Sequence, residues 1–233
     1  GMCEKVTRGL TAAAYSLLQD VFAYPVINSS VFFLDDFPSP VPMGNGEYIR
    51  KYFGRDISSF YSNIWWPDML KIAEKHGVRY TGVVIEDYSE RTSGNFPRTT
   101  DTERFRYFGG LLLEKGGEIG IHGYNHMPLC PDGFDFLGKV DYETWPTAND
   151  MRSAIAELMD FTKTLFPKNT ISTYVPPSNI LSAEGRAMLA ESFPEIRTLS
   201  GVFLKEDYEY EQEFCVSDNG IVELPRIISG AIL

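Results

Sequence analysis

Glu118-Ile119-Gly120-Ile121-His122-Gly123-Tyr124-Asn125-His126 runs a short apolar strand straight into a polar turn. Two of the chain's 3 histidines sit in that turn, spaced His-x-x-x-His. One turn of helix puts residues i and i+4 on one face, so the spacing predicts that both imidazoles reach one ion through a single helical turn. Gly123 and Pro128 argue against a longer helix there. Two neutral imidazoles are a common part of a zinc site, and such a site needs at least one further ligand.

Working outward, the same pattern of an apolar run ending in polar groups recurs. Residues 30–34, continuously apolar from Val31, predict a buried strand ending in Asp35-Asp36-Phe37-Pro38. The prolines and Ser39 make the following residues a loop. Residues 78–86 predict a strand ending in Glu86-Asp87, and 171–175 one ending in Pro176-Pro177-Ser178-Asn179. Further strands are predicted at 196–199 and 221–224. Helical spacing marks 10–22, a helix opened by Trp65-Trp66-Pro67 and closed by Gly77, 102–115, and 182–191. Another helix follows Thr147, its capping residue, with Asp150 three positions on. Residues 127–146 form a long loop carrying Phe134, Phe136, Tyr142 and Trp145, and loops of that length in a compact domain are often functional. The acidic, tyrosine-rich stretch 205–213 reads as a solvated loop.

Alternation of strands and helices predicts a parallel α/β fold. An open doubly wound sheet and a barrel both fit the order. The polar groups at the strand ends favour a TIM-like (β/α) barrel, whose mouth gathers the C-terminal ends of its strands. The absence of repeats and linkers predicts one domain over 1–233, with 1–28 as an N-terminal helix and lead-in. The chain closes on apolar Ile232-Leu233 with no final helix, which reads as a barrel truncated at its C-terminus.

At 43% hydrophobic and 14% aromatic residues, the 233-residue chain has ample material for a core. A formal net charge of -11 without a Lys/Arg cluster argues against a nucleic-acid partner. No segment has the apolar length of a membrane span, no n-region and h-region mark a signal peptide, and no obligate protein partner is evident. Cys3, Cys130 and Cys215 are odd in number and widely spaced, and read as free thiols.

Asp36 is taken as the third metal ligand. Asp35 and Asp36 are adjacent at a strand end and need not point the same way, so one can bind a metal while the other serves as base. Two histidines and one carboxylate leave a position open on a divalent ion, Zn2+ foremost.

Leu34-Asp35-Asp36-Phe37-Pro38, His122-Gly123-Tyr124-Asn125-His126 and Tyr174-Val175-Pro176-Pro177-Ser178-Asn179 resemble, in order and spacing, the first three motifs of the polysaccharide deacetylase (NodB-like) family. The resemblance implies a distorted (β/α) barrel of the glycoside hydrolase/deacetylase type and a divalent metal, usually zinc. It implies hydrolysis of N- or O-acetyl groups on an acetylated oligo- or polysaccharide, at the cell envelope or outside the cell. Asp35 would be the general base, and Asp36, His122 and His126 the metal ligands. Tyr124, Asn125, Pro176, Asn179 and Trp145 are candidate substrate contacts.

The sequence also departs from that family. Phe37 stands where the family usually has Gly, and Val175 where it has an Arg that orients the base. No histidine follows His126 to act as the general acid, so either the barrel is truncated and the acid lies beyond the end, or the acid is missing. His76, just before Gly77, reads as a residue favoured by its helix C-terminus. Arg226, after the last predicted strand, is a minor candidate for the mouth. The expected function is a metal-dependent deacetylase-like hydrolase. Its rivals are a non-catalytic carbohydrate-binding or scaffold protein on the same barrel, and a metal-dependent amidase or glycosidase.

Overall fold

Short strands of two to six residues, alternating with helices, assemble into one sheet. A computed structural model of the chain describes residues 10–15, 17–18, 31–38, 46–138, 140–201, 214–224 and 226. Two compact units are distinguished, 1–30 and 31–233. In the first, residues 10–15 are helical and 17–18 form a turn; the rest of the helix expected over 10–22 lies outside the described residues. The stretch 205–213 also lies outside them.

The second unit holds a seven-stranded sheet. Its strands are β1 (Phe32–Phe37), β2 (Tyr80–Val84), β3 (Glu118–Ile121), β4 (Thr173–Tyr174), β5 (Thr198–Ser200), β6 (Cys215–Val216) and β7 (Val222–Leu224). The order is β1-β2-β3-β4-β5-β7-β6, and every pairing is parallel except β6 with β7. Expected strands thus appear as β1 to β5 and β7; the β6 edge was not foreseen. Because the strands run parallel, their C-terminal ends share one edge of the sheet.

Helices α1 (Glu47–Phe53), α2 (Ile57–Phe60), α3 (Trp66–His76), α4 (Thr102–Glu114), α5 (Ala148–Leu165) and α6 (Ala183–Ser192) complete the unit. The helix expected to open at Trp65-Trp66-Pro67 instead continues from α2 through a π-helical turn, Tyr61–Trp65. Pro67 has no N–H for the regular ladder, and the wider turn before it accommodates that loss. Gly77 closes α3 at φ 65°, as a left-handed cap favours glycine. Thr147 caps α5, its hydroxyl accepting from the Asp150 amide at 3.1 Å.

The core lies between the sheet and these helices. β2 is buried along its whole length, and α5 buries Met151, Ile155, Leu158, Phe161 and Leu165 in the same core. Each such side chain contributes roughly 1.5–3 kcal/mol when fully buried. β1 differs from the expected buried strand. It lies at the sheet's end, Phe32 is exposed, and the strand continues through both aspartates to Phe37.

Candidate metal centre

Three steps along β1, from Leu34 to Phe37, face two along β2, from Gly82 to Val84. The extra residue is a β-bulge at the Asp35-Asp36 pair, and Asp36 takes a left-handed φ of 53°. A bulge breaks the alternation of a strand and re-aims the side chains it carries. Phe37 anchors the bulge. Its buried ring meets Trp66 edge-on, centroids 5.7 Å apart, and lies over Gly82, where a Cβ would come within 2.5 Å of it.

The histidine turn carries no helix, contrary to the single turn expected from the spacing. Gly123 at φ 89° and His126 at φ 62° bend it instead, bringing the two imidazole centroids to 5.2 Å. A Cβ on Gly123 would lie 3.0 Å from Pro177, so the close approach of the neighbouring loop also selects glycine.

Asp36, His122 and His126 each offer a ligand atom, and these atoms all lie within 4.8 Å of one another. Both Nε2 atoms stand 3.7 Å from Asp36 Oδ1, too far for hydrogen bonds. Asp36 Oδ1 is buried without a hydrogen-bond partner. Two ligand atoms each about 2.1 Å from one ion are separated by less than about 4.2 Å, so the two 3.7 Å separations fit a shared ion. The other ring nitrogens are held from behind. His122 Nδ1 donates to the Val175 carbonyl at 2.7 Å, which turns its Nε2 lone pair toward Asp36. His126 Nδ1 lies 3.2 Å from the Tyr142 hydroxyl, which lies 2.6 Å from Ser178 Oγ. Burial, then the His122 imidazole, pushes the His126 pKa down, which favours the neutral form a metal requires.

Asp35 is arranged differently. Arg226 Nη2 donates to its Oδ2 at 2.8 Å, and Arg226 Nη1 donates to Asn179 Oδ1 at 3.1 Å. Asp35 Oδ1 is buried and unpartnered. The adjacent carboxylates thus have separate surroundings: one faces two imidazoles, the other a guanidinium. Burial and then the Asp36 carboxylate raise the Tyr88 phenol pKa, placing Tyr88 within electrostatic reach of the cluster.

The remaining expected contacts divide. Asn179, at φ 61°, and Pro176 belong to the loop beside the cluster. Tyr124, Asn125 and Trp145, expected as substrate contacts, are each 1% exposed. The Tyr124 hydroxyl donates to Pro97 O, and Asn125 Nδ2 donates to Ser89 O and Arg91 O, so both pin the 87–99 loop. Trp145 donates from Nε1 to Pro128 O and packs near Phe96. Arg226, Tyr142 and Ser178 are the site residues that sequence reasoning underweighted or missed. Glu86, also buried, accepts from the Thr99 amide at 3.1 Å.

Fold and cluster together define a parallel α/β protein with an Asp-His-His set, able to hold a metal, at the C-terminal edge of its sheet. The chain belongs to the family DUF2194, described as an uncharacterised protein conserved in bacteria, whose model matches residues 1–233. No curated protein matches it. Among solved structures, a candidate polysaccharide deacetylase from Mycobacterium smegmatis is similar at 18% identity and TM-score 0.52, over 84% of this chain and 58% of its own. The deacetylase PplD of Streptococcus pyogenes, in complex with acetate, matches at 15% identity and TM-score 0.42, over 72% and 59%. A CE4 family pseudoenzyme from Bacillus anthracis matches at 15% identity and TM-score 0.38, over 55% and 35%. This chain spans less than two thirds of each of these solved chains. The mycobacterial likeness shows a deacetylase-like fold. Among the described residues, no helix is long and apolar enough to cross a membrane.

Proposed function

We propose that the chain is a divergent NodB-like, metal-dependent hydrolase that removes acetyl groups from N- or O-acetylated sugars. Its sheet curls as a distorted (β/α) barrel in this reading. One observation carries the proposal: Asp36 Oδ1 is buried, unpartnered and 3.7 Å from two imidazole nitrogens, beside a second carboxylate held separately. Asp36, His122 and His126 would hold the divalent ion, Zn2+ by its preference for this donor set. Such an ion supplies a Lewis acid for the acetyl carbonyl and lowers the pKa of water. Asp35 takes the proton of the attacking water at its free Oδ1, while Arg226 fixes the orientation of that carboxylate. The loop at Pro176 and Asn179 offers polar and ring surface to the sugar.

A non-catalytic carbohydrate-binding role on the same fold is the second reading. It is favoured by Val175, which stands where the resembled family carries the Arg that orients its base. Metal content and acetate release from acetylated chito-oligosaccharides and acetylated xylan test both readings. One equivalent of zinc with acetate release that Asp35→Asn abolishes is the expected result. Zinc and sugar binding without acetate favours the second reading, and absence of zinc uptake overturns the metal-dependent one.

A further inference from the structure

We propose that Tyr142, held by Ser178, is the positioning residue that fixes His126 with its Nε2 lone pair facing Asp36. The inference rests on the metal reading of the cluster and deepens it.

The two histidines are supported in unlike ways. His122 leans on a main-chain carbonyl, Val175 O, immediately after β4, and an amide carbonyl can only accept. Its tautomer is therefore fixed by the sheet. His126 leans on a side-chain hydroxyl from the 127–146 loop, and a hydroxyl can accept or donate. Its second contact gives the phenol, more acidic than a serine hydroxyl, an acceptor for its own proton. Tyr142 Oη lies 2.6 Å from Ser178 Oγ, closer than its 3.2 Å from His126 Nδ1. If the phenol gives its proton to Ser178, it is left to accept from His126, and the imidazole proton is held on Nδ1. Nε2 is then free as a ligand, as at His122.

Both ends of this relay are built into the structure. Ser178 sits at φ 49° and its neighbour Asn179 at φ 61°, a left-handed pair without glycine. A left-handed residue other than glycine is costly and persists where its surroundings fix it. Tyr142 packs near Phe136, centroids 6.1 Å apart, in a small cluster with Cys130 and Ile180. The loop thus has a core of its own that delivers the phenol to the imidazole.

The test uses the full chain and two readouts. Zinc affinity comes from competition with a chromophoric chelator. The tautomer comes from nitrogen-15 correlation spectra of the imidazoles in the metal-free protein at pH 8, which hold only 3 histidines. Tyr142→Phe keeps the ring and its packing but removes the hydroxyl. The expected result is roughly 10–100-fold weaker zinc binding, the usual size for losing such a support. The His126 signal should shift from the Nδ1–H form to a mixture, with His122 unchanged. Ser178→Ala should move both readouts in the same direction. Zinc binding within twofold of wild type in Tyr142→Phe, with the His126 tautomer unaltered, overturns the proposal. If the unsubstituted chain binds no zinc, the metal reading falls, and the tautomer spectra alone decide whether Tyr142 fixes His126.

Discussion

Arg226, two residues past β7, donates to Asp35 Oδ2 in β1 at 2.8 Å, although the two strands lie well apart in the sheet order. In a flat sheet five strand spacings of about 4.8 Å, about 24 Å in all, would separate them. The ion pair thus joins two segments that a flat sheet would hold apart. Among the described residues no ladder joins β1 to β6 or β7, so the side chains meet where the strands do not pair. The same guanidinium reaches Asn179 and lies 6.0 Å over the Phe33 ring. Arginine's planar fork can hold two acceptors at once, which a lysine cannot reproduce.

Replacing Arg226 should consequently separate catalysis from metal binding. In Arg226→Gln, acetate release should fall by about 100-fold in kcat, the scale on which a misplaced catalytic group loses rate. Zinc affinity should stay within about twofold, because Arg226 contacts none of Asp36, His122 or His126. Arg226→Lys should recover only part of the rate. Steady-state kinetics beside a zinc titration of each variant check this.

The ligand set itself predicts a stability effect. A ligand that binds only the folded state stabilises it by about 2.7 kcal/mol at one hundred times its Kd. Zinc at that concentration should raise the urea midpoint of the native chain accordingly. His126→Ala and Asp36→Ala should abolish the rise, since each removes one of three atoms lying within 4.8 Å of one another. Urea titrations with zinc and with a chelator measure it.

How far the sequence announced this site depends on the distance between interacting residues. Asp35, Asp36, His122 and His126 were legible because each ends an apolar run, and parallel strands bring such ends to one edge. Arg226 was underweighted because its partner lies 191 positions away. Nothing in the spacing around Tyr142 points to His126, which it meets only after a loop folds back over 16 residues. The bulge at Asp35-Asp36 was hidden for a related reason: register depends on the neighbouring strand, not on local pattern. Helical spacing misled at His-x-x-x-His because positive φ at Gly123 and His126 sets the turn. Aromatic residues in a long loop suggested sugar contact, yet Trp145 buries its ring and satisfies its N–H internally.

Gly82 should be intolerant of even a methyl group. Its added Cβ would lie 2.5 Å from the Phe37 ring and 2.9 Å from Leu112. Phe37 is itself held by Trp66, and the bulge sits immediately before it. Gly82→Ala should therefore destabilise the fold by about 1–3 kcal/mol, the usual cost of overpacking. Because the displacement acts on the end of β1, it should also weaken zinc binding. Chemical denaturation and the zinc titration test the two consequences separately.

Glu86 should give stability a pH dependence unrelated to the metal cluster. It is 4% exposed, and its Oε2 has no hydrogen-bond partner. Burial pushes its pKa from 4.5 up to about 8, with the Thr99 amide and Arg98 opposing the rise and Glu157 and Asp87 adding to it. Between about pH 4.5 and 8 the folded chain keeps this proton, while the unfolded chain has lost it. The contribution of Glu86 to stability is thus fully present below about pH 4.5 and is lost as pH rises through about 8. Glu86→Gln keeps an acceptor for the Thr99 amide and cannot ionise. The variant should lose the downward slope of stability across this window and exceed the native chain in stability above pH 8. Urea unfolding at half-unit steps from pH 5 to 9 reads this out, and parallel curves for the two proteins would refute a proton held at Glu86.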